Sequence, residues 1–200
     1  MYKRQDAERT AGILRLLQEL AGLPVLPRRM ESYDISHTGG ADQVASMVVF
    51  VDGRPLKRDY RRFQIQSCGG PDDYGAMAEV LERRFRRYLD GDEKFSPLPD
   101  LLLIDGGVQH ARVAEEVAAK LHLSVPVLGM VKDDRHRTRA LVTAQGMEIG
   151  IQTPPALFAL IGRVQEEVHR FAIAYHHQKH AKNAYRSQLD GIAGVGEARK

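Results

Sequence analysis

The order of apolar and polar positions predicts an α/β domain that begins with one helix and three strands. Apolar residues recur at helical spacing from about Asp6 to Ala21, and the pattern stops at the prolines of LPVLPRR. Strand-like runs follow at Met30 to Ile35, Val44 to Val51 and about Leu56 to Ile65. The dipeptide Asp52-Gly53 is a hairpin signal. We therefore predict an antiparallel meander of three strands.

The rest of the chain alternates helices and strands. In order, the pattern predicts a helix entered at Pro71 and Asp72, the strand LLLID, the helix VQHARVAEEVAAKLH, a strand at Val127 to Val131, a hairpin from Arg139 to Ile149 and a long helix from Pro154 or Pro155. An uninterrupted LLLI run between helices is typical of a central strand covered on both faces. Together the elements predict a mixed five- or six-stranded sheet flanked by helices.

Composition narrows the function only slightly. The chain has 200 residues, of which 43% are hydrophobic, enough for one substantial core. Lysine and arginine total 29 against 26 acidic residues, which mildly favours a polyanionic partner. The single cysteine, Cys68, excludes an internal disulfide and a cysteine-rich zinc site. Neither a membrane-spanning run nor a signal peptide is recognisable, so we expect a cytoplasmic protein without membrane contact.

Two aspartates stand where an apolar stretch runs into paired glycines, Asp34 in DISHTGG and Asp105 in LLLIDGG. Carboxylates at strand ends suit Mg²⁺ or Mn²⁺, although either aspartate alone is equally typical of a capped turn. The element order is that of ribonuclease H-like nucleases, in which the first and fourth strands are neighbours. In that arrangement Asp34 and Asp105 converge, and the late helix brings His169 over the same end of the sheet.

Several strings, in order, resemble the C-terminal half of the UvrC family, the C subunit of the ABC excinuclease: DISHTGG, YRRFQI, LLLIDGG, KDDRHRTR, EEVHRFAI and LDGIAGVGEARK. The resemblance implies a ribonuclease H-like, metal-dependent endodeoxyribonuclease that makes the 5′ incision in bacterial nucleotide excision repair. Its Asp, Asp, His set maps onto Asp34, Asp105 and His169. The implied partners are damaged double-stranded DNA and UvrB, with UvrA acting upstream, and we expect a monomer.

The role of the histidine is open on sequence grounds. His169 lies beside the apolar stripe of the late helix and could be a histidine at the edge of the core. With the resemblance it becomes a metal ligand or a general acid/base, since imidazole exchanges protons near neutral pH. Glu166, one turn earlier, is a reserve metal ligand. His37 either lies near the metal or orients its loop.

Three further features predict DNA contacts. Arg61 and Arg62 belong to a basic run on a predicted strand, where the alternative is that half of the run only solvates the sheet. The residues Lys132, Arg135, Arg137 and Arg139 follow a strand end and form either an active-site loop or a solvated hairpin. The glycines Gly194 and Gly196 belong to a truncated helix-hairpin-helix that offers backbone amides to a phosphate.

The predicted organisation has three parts: residues 1–28 as an N-terminal helix and linker, 29–180 as the ribonuclease H-like endonuclease domain, and 181–200 as a linker with the truncated helix-hairpin-helix. The first rival function is a catalytically inactive ribonuclease H-like scaffold that binds DNA or protein. The second is a phosphate or nucleotide binder built on LLLIDGG, which lacks a P-loop lysine.

Overall fold

A single mixed sheet carries all the strands of the computed structural model, which describes residues 2–38, 42–66, 72–135 and 137–190. The elements are α1 (Tyr2–Ala21), β1 (Arg29–Thr38), β2 (Asp42–Val51), β3 (Arg54–Pro55), β4 (Arg61–Gln64), α2 (Asp73–Leu89), β5 (Leu101–Asp105), α3 (Val108–Lys120), β6 (Val127–Lys132), β7 (Thr138–Val142), β8 (Glu148–Gly150) and α4 (Pro155–Asp190). The strand order is β3-β2-β1-β5-β6-β7-β8, and β4 also pairs with β2. Among the described residues, the β1–β5 and β5–β6 pairs are parallel and the other strand pairs are antiparallel.

Helices cover both faces of the sheet. Helices α2 and α3 pack on one face, around Phe85 and Ile104. Helices α1 and α4 pack on the other, around Leu17, Leu103 and Leu160. Strand β5 is therefore buried on both sides, which is why its sequence is continuously apolar.

The predicted elements are present, with one correction in the meander. The run from Leu56 to Ile65 is not one strand, because a 3-10 turn at Lys57–Asp59 separates β3 from β4. The hairpin prediction is confirmed, since Asp52 and Gly53 both have positive φ, 49° and 72°, as the favoured two-residue turn requires. The split strand and the β7–β8 hairpin bring the sheet to eight strands rather than five or six.

The predicted boundaries of the three parts remain predictions. Leu14 and Leu17 of α1 are buried in the same core as α4, and the backbone of α4 continues beyond residue 180 to Asp190. The helix-hairpin-helix prediction at 191–200, with Gly194 and Gly196, lies outside the described residues. In the part of the chain that the structure describes, no helix has the length and apolarity needed to cross a membrane.

Candidate active site

Three neighbouring central strands bring Asp34, Asp105 and Lys132 to one end of the sheet: β5 and β6 end at Asp105 and Lys132, and Asp34 lies within β1, just after its pairing with β5 stops. In the parallel β1–β5 pair, Tyr33 lies opposite Ile104, and each aspartate is the next residue along its strand. Because side chains alternate along a strand, both aspartates point to the face covered by α4. The predicted convergence of the first and fourth strands is therefore what the register provides.

The ionised form of Asp34 is unfavourable in this position. Its side chain is only 15% exposed. Burial and, after it, the charge of Asp105 raise the pKa of the Asp34 carboxyl to about 6, even though His169 and Lys132 act in the opposite direction. Two carboxylates that share a shielded site disfavour each other's ionised form. A cation between them would relieve that repulsion.

Lys132, at the end of β6, provides one positive charge beside the pair. Its ammonium lies 2.8 Å from both carboxylate oxygens of Asp105. The side chains of Asp105 and Lys132 are 12% and 34% exposed. Sequence reasoning assigned Lys132 to DNA, whereas the structure pairs it with a predicted metal ligand.

Helix α4 places His169 over Asp34. The Nδ1 atom of His169 lies 3.7 Å from the Asp34 carboxylate, beyond hydrogen-bond distance, and the imidazole is 65% exposed. One turn earlier, the Gln165 side-chain carbonyl accepts hydrogen bonds from both the backbone amide and the hydroxyl of Thr138. Thr138 pairs with Lys132 across the β6–β7 ladder. This clamp fixes α4 against the sheet one turn before His169.

The opposite wall of the cleft was not predicted. It is formed by Asp73 at the start of α2 and by the half-buried His110 on α3, whose ring packs on Tyr74 with centroids 4.6 Å apart. Gly106 has φ +150°, and a Cβ there would collide with the His110 ring, so glycine makes room for this imidazole. Burial lowers the pKa of His110, against the charges of Asp73 and Asp105. In the sequence, His110 stands three residues after the LLLIDGG motif, in the first turn of the following helix, and this closeness to Asp105 is the signal that could have identified it.

The cleft between these walls has a volume of about 400 Å³. No group of three or more His, Cys, Asp and Glu side chains gathers closely enough to bind a metal on its own within residues 2–38, 42–66, 72–135 and 137–190. The fit is therefore that of an ion held by two carboxylates, with water or phosphate oxygens as the other ligands. Mg²⁺ is commonly held in this way, by one or two carboxylates and substrate phosphate.

Glu166 does not join this cleft. It lines a separate surface groove with Phe50, Arg54 and Arg170, toward the other end of β2. The residue of α4 that points toward β7 is Gln165, one position earlier. The structure thus gives no support to Glu166 as a reserve ligand, because one residue along a helix rotates the side chain by about 100°.

Arg61 and Arg62 are engaged within the protein. The Arg61 guanidinium donates to the carbonyls of Arg58, Tyr60 and Lys94 at 2.8–2.9 Å. The Arg62 guanidinium lies 4.0 Å from the centre of the Phe171 ring and donates to the Phe171 carbonyl. Both arginines therefore tie β4 to neighbouring segments, a role that the strand pattern did not predict.

The loop after β6 is organised by Asp133. Its carboxylate accepts from the backbone amides of Arg135 and Arg137 and pairs with the Arg137 guanidinium at 3.1 Å. Arg139 pairs with Glu148 on β8, also at 3.1 Å. Arg135 is exposed at the tip. The side chain of His37 lies outside the described residues.

Comparisons with known proteins identify the sequence family of this chain. The sequence model of the UvrC RNAse H endonuclease domain matches residues 18–173. The UvrABC system protein C of Finegoldia magna is 44% identical over 100% of this chain, which corresponds to 33% of that protein. The same-named protein of Thermoanaerobacter pseudethanolicus is 45% identical over 98% of this chain and 33% of its own length. The chain thus spans about one third of these relatives.

Among solved structures, human ENDOV is similar with a TM-score of 0.46 and 15% sequence identity, covering 89% of this chain and 98% of that one. Ciona intestinalis endonuclease V, solved with a DNA that contains inosine, has a TM-score of 0.41 and 15% identity, covering 66% of this chain and 59% of that one.

Proposed function

The chain belongs to the UvrC RNAse H endonuclease domain family, and on this basis we propose that it is the domain that makes the 5′ incision in damaged DNA, with Mg²⁺ or Mn²⁺ held by Asp34 and Asp105. The observation that carries the proposal is that these two carboxylates lie side by side in one cleft, just past the point where the parallel pairing of β1 with β5 stops. The pKa of Asp34, raised to about 6 by burial and by Asp105, marks a site that favours a cation.

In this proposal each residue of the site has a role in cleaving the DNA phosphodiester. Asp34 and Asp105 hold the ion, which when bound neutralises phosphate charge and supplies an activated water. His169 stands above Asp34 on the exposed side, where it can accept or donate a proton at the reacting phosphate. The paired central strands β1, β5 and β6 and the Gln165–Thr138 hydrogen bonds fix the positions of these groups relative to one another.

We infer the binding partners from the family alone, and they remain proposals because the chain corresponds to one third of the length of its relatives. We propose damaged double-stranded DNA as substrate and recruitment by UvrB, with UvrA upstream, through parts of the full-length protein. A cytoplasmic location and a monomeric state are part of the same proposal.

The test is a metal-dependent incision assay with two forms of the protein. One form is this chain alone, and the other is the chain grafted in place of the matching third of a full-length relative, with the excision partners added. We expect 5′ incision of a lesion-containing duplex with Mg²⁺ or Mn²⁺ and none in EDTA. Tight DNA binding without incision by the graft would favour the inactive scaffold instead.

His169→Ala should slow incision by about 10²-fold while leaving the fold intact, because the imidazole is exposed and acts at the reacting phosphate. Single-turnover incision rates and thermal unfolding check both parts. The matched control is Glu166→Ala on the same helix, which should change neither, since Glu166 lies in another groove.

The same His169→Ala variant separates the two roles left open by the sequence. If Mn²⁺ affinity is unchanged while the rate falls, the imidazole transfers a proton, and if affinity falls in parallel, it is a ligand. A large drop in melting temperature with a normal rate per folded molecule would return His169 to the edge of the core.

Arg135→Ala should weaken DNA binding and reduce the salt dependence of binding by about one phosphate contact, because Arg135 is exposed at the tip of the loop beside the cleft. Arg61→Ala is the comparison. Its three bonds to carbonyls predict lower stability and an unchanged salt slope. Binding isotherms at several salt concentrations check both, and a lowered slope for Arg61→Ala would restore that residue to the DNA interface.

A further inference from the structure

Lys132 is held where a metal ion would compete with it. Its ammonium is 2.8 Å from both oxygens of Asp105, so it occupies lone pairs that a cation would use. The pair is better shielded than the neighbouring Arg139–Glu148 pair, whose side chains are 41% and 52% exposed. Shielding strengthens an ion pair, so this contact is not an ordinary surface bridge.

The backbone aims Lys132 at this position. The β6–β7 ladder changes register between Val131 and Lys132, and Lys132 then pairs with Thr138. Bulges of this kind redirect the side chain that follows. Thr138 is held in turn by Gln165 of α4, so the strand end that carries Lys132 is anchored from two sides.

We propose that Lys132 is the resident counter-cation of the Asp34–Asp105 pair and that a divalent ion must displace its ammonium from Asp105 in order to bind. This rests on the proposed function, because it takes the two aspartates as metal ligands. An ammonium at 2.8 Å and a divalent ion at about 2.1 Å require the same carboxylate oxygens. The two cations therefore compete for Asp105.

The exchange has a use at a DNA-cutting site. Without any cation, two shielded carboxylates would repel each other and also the phosphate backbone. Lys132 offsets part of that charge, and its flexible four-carbon stem lets the displaced ammonium remain at the cleft edge, within reach of a phosphate. Metal entry then frees one positive charge beside the substrate.

The experiment measures Mn²⁺ affinity by calorimetry on the metal-free chain without DNA. Lys132→Met should bind Mn²⁺ about tenfold more tightly than the parent chain, since the competing charge is gone. Lys120→Met is the matched control, because it removes the same charge from an ion pair with Glu82 outside the cleft, and its affinity should stay within about twofold of the parent. Affinity that is unchanged or weaker in Lys132→Met overturns the proposal.

Thermal unfolding gives a second readout that a purely structural lysine would not reproduce. In EDTA, Lys132→Met should melt below the parent chain because it leaves two carboxylates without their counter-cation. Saturating Mn²⁺ should close that gap, since tighter binding adds more stability to the variant. A gap of the same size with and without Mn²⁺ would make Lys132 structural. Lys132→Arg, which keeps the charge, should bind Mn²⁺ no more tightly than the parent.

Asp105→Asn separates this proposal from the proposed function. If Asp105→Asn retains Mn²⁺ binding, the metal site itself is misplaced and the proposed function fails. If Asp105→Asn loses Mn²⁺ binding but Lys132→Met does not gain affinity, the metal site stands and only the competition is wrong.

Discussion

Asp34→Asn should abolish incision and yet make the metal-free domain more stable. Incision should fall by about 10³-fold or more because one of the two carboxylates proposed to hold the metal becomes a neutral amide. The free energy of unfolding rises because the ionised Asp34 carboxylate destabilises the folded protein. Burial and the charge of Asp105 raise its pKa from 3.8 to about 6, so the folded state prefers the protonated, neutral form.

The sign of the effect follows from proton linkage. Between pH 3.8 and about 6 the folded chain holds a proton at Asp34 that the unfolded chain releases, so rising pH costs stability across that interval. Asparagine cannot ionise and escapes the cost. In EDTA at pH 8 we expect the variant to gain about 3 kcal/mol over the parent chain, and at pH 3 the gain should vanish.

Urea unfolding of Asp34→Asn and of the parent chain, at both pH values and with EDTA or Mn²⁺, measures the difference in their free energies of unfolding. Mn²⁺ should stabilise the parent chain and have little effect on Asp34→Asn. An asparagine variant that is less stable in EDTA would show that the Asp34 carboxylate serves the fold rather than a metal ion, the alternative that the sequence left open. Incision at the parental rate would move the metal site elsewhere.

Arg84→Ala should destabilise the domain by about 3–5 kcal/mol, the cost of breaking a buried ion pair. The Arg84 side chain is 1% exposed, and its guanidinium binds both oxygens of the fully buried Glu31 at 2.8 and 2.9 Å. It also donates to the carbonyls of Phe95 and Pro97. Removing Arg84 leaves the Glu31 carboxylate buried with only Tyr33 and Arg29 as donors.

Arg86→Ala is the control on the same helix. Arg86 pairs with Glu82 one turn away, but the pair is exposed, with side chains at 57% and 28%, so its loss should cost about 0.5 kcal/mol or less. Chemical unfolding of both variants tests the contrast. Arg84→Lys is the second variant, which keeps the test possible if Arg84→Ala does not fold. It retains the charge but loses the bidentate contact with Glu31, so its stability should fall between those of the parent and Arg84→Ala.

The double variant Glu31→Leu with Arg84→Met shows whether the pair acts as a unit. Replacing both charges removes the buried ions together, so the loss should be smaller than the sum of the two single losses. Additive losses would mean that Arg84 contributes mainly through Phe95 and Pro97.

Much of the fold and part of the site followed from local pattern. The uninterrupted LLLI run predicted a strand covered on both faces, and β5 is one. Asp34 and Asp105 were found because a carboxylate at the end of an apolar run is visible in the sequence, and because the element order makes β1 and β5 neighbours. The third strand was misjudged because the turn at Lys57–Asp59 leaves no break in the apolar and basic pattern.

The basic residues show the limit of that reasoning. A run of arginines predicts a DNA-binding surface. In the structure, however, Arg61 donates hydrogen bonds to backbone carbonyls and the Arg62 guanidinium lies over the Phe171 ring. Charge in the sequence tells which ions are available but not which partner each one takes. The same holds for Glu166, which shares a helix with His169 but lines a different groove.

The sequence by itself determined the class of fold and singled out Asp34 and Asp105 as candidate ligands, because periodicity and the ends of apolar runs are local properties of the chain. Only the tertiary structure decided what surrounds them: the Lys132 ammonium on Asp105, the wall made by Asp73 and His110, and the pair of Arg84 with Glu31, 53 residues away. These contacts depend on the relative positions of packed helices and strands that are distant in sequence. A short-range sequence pattern therefore does not predict them.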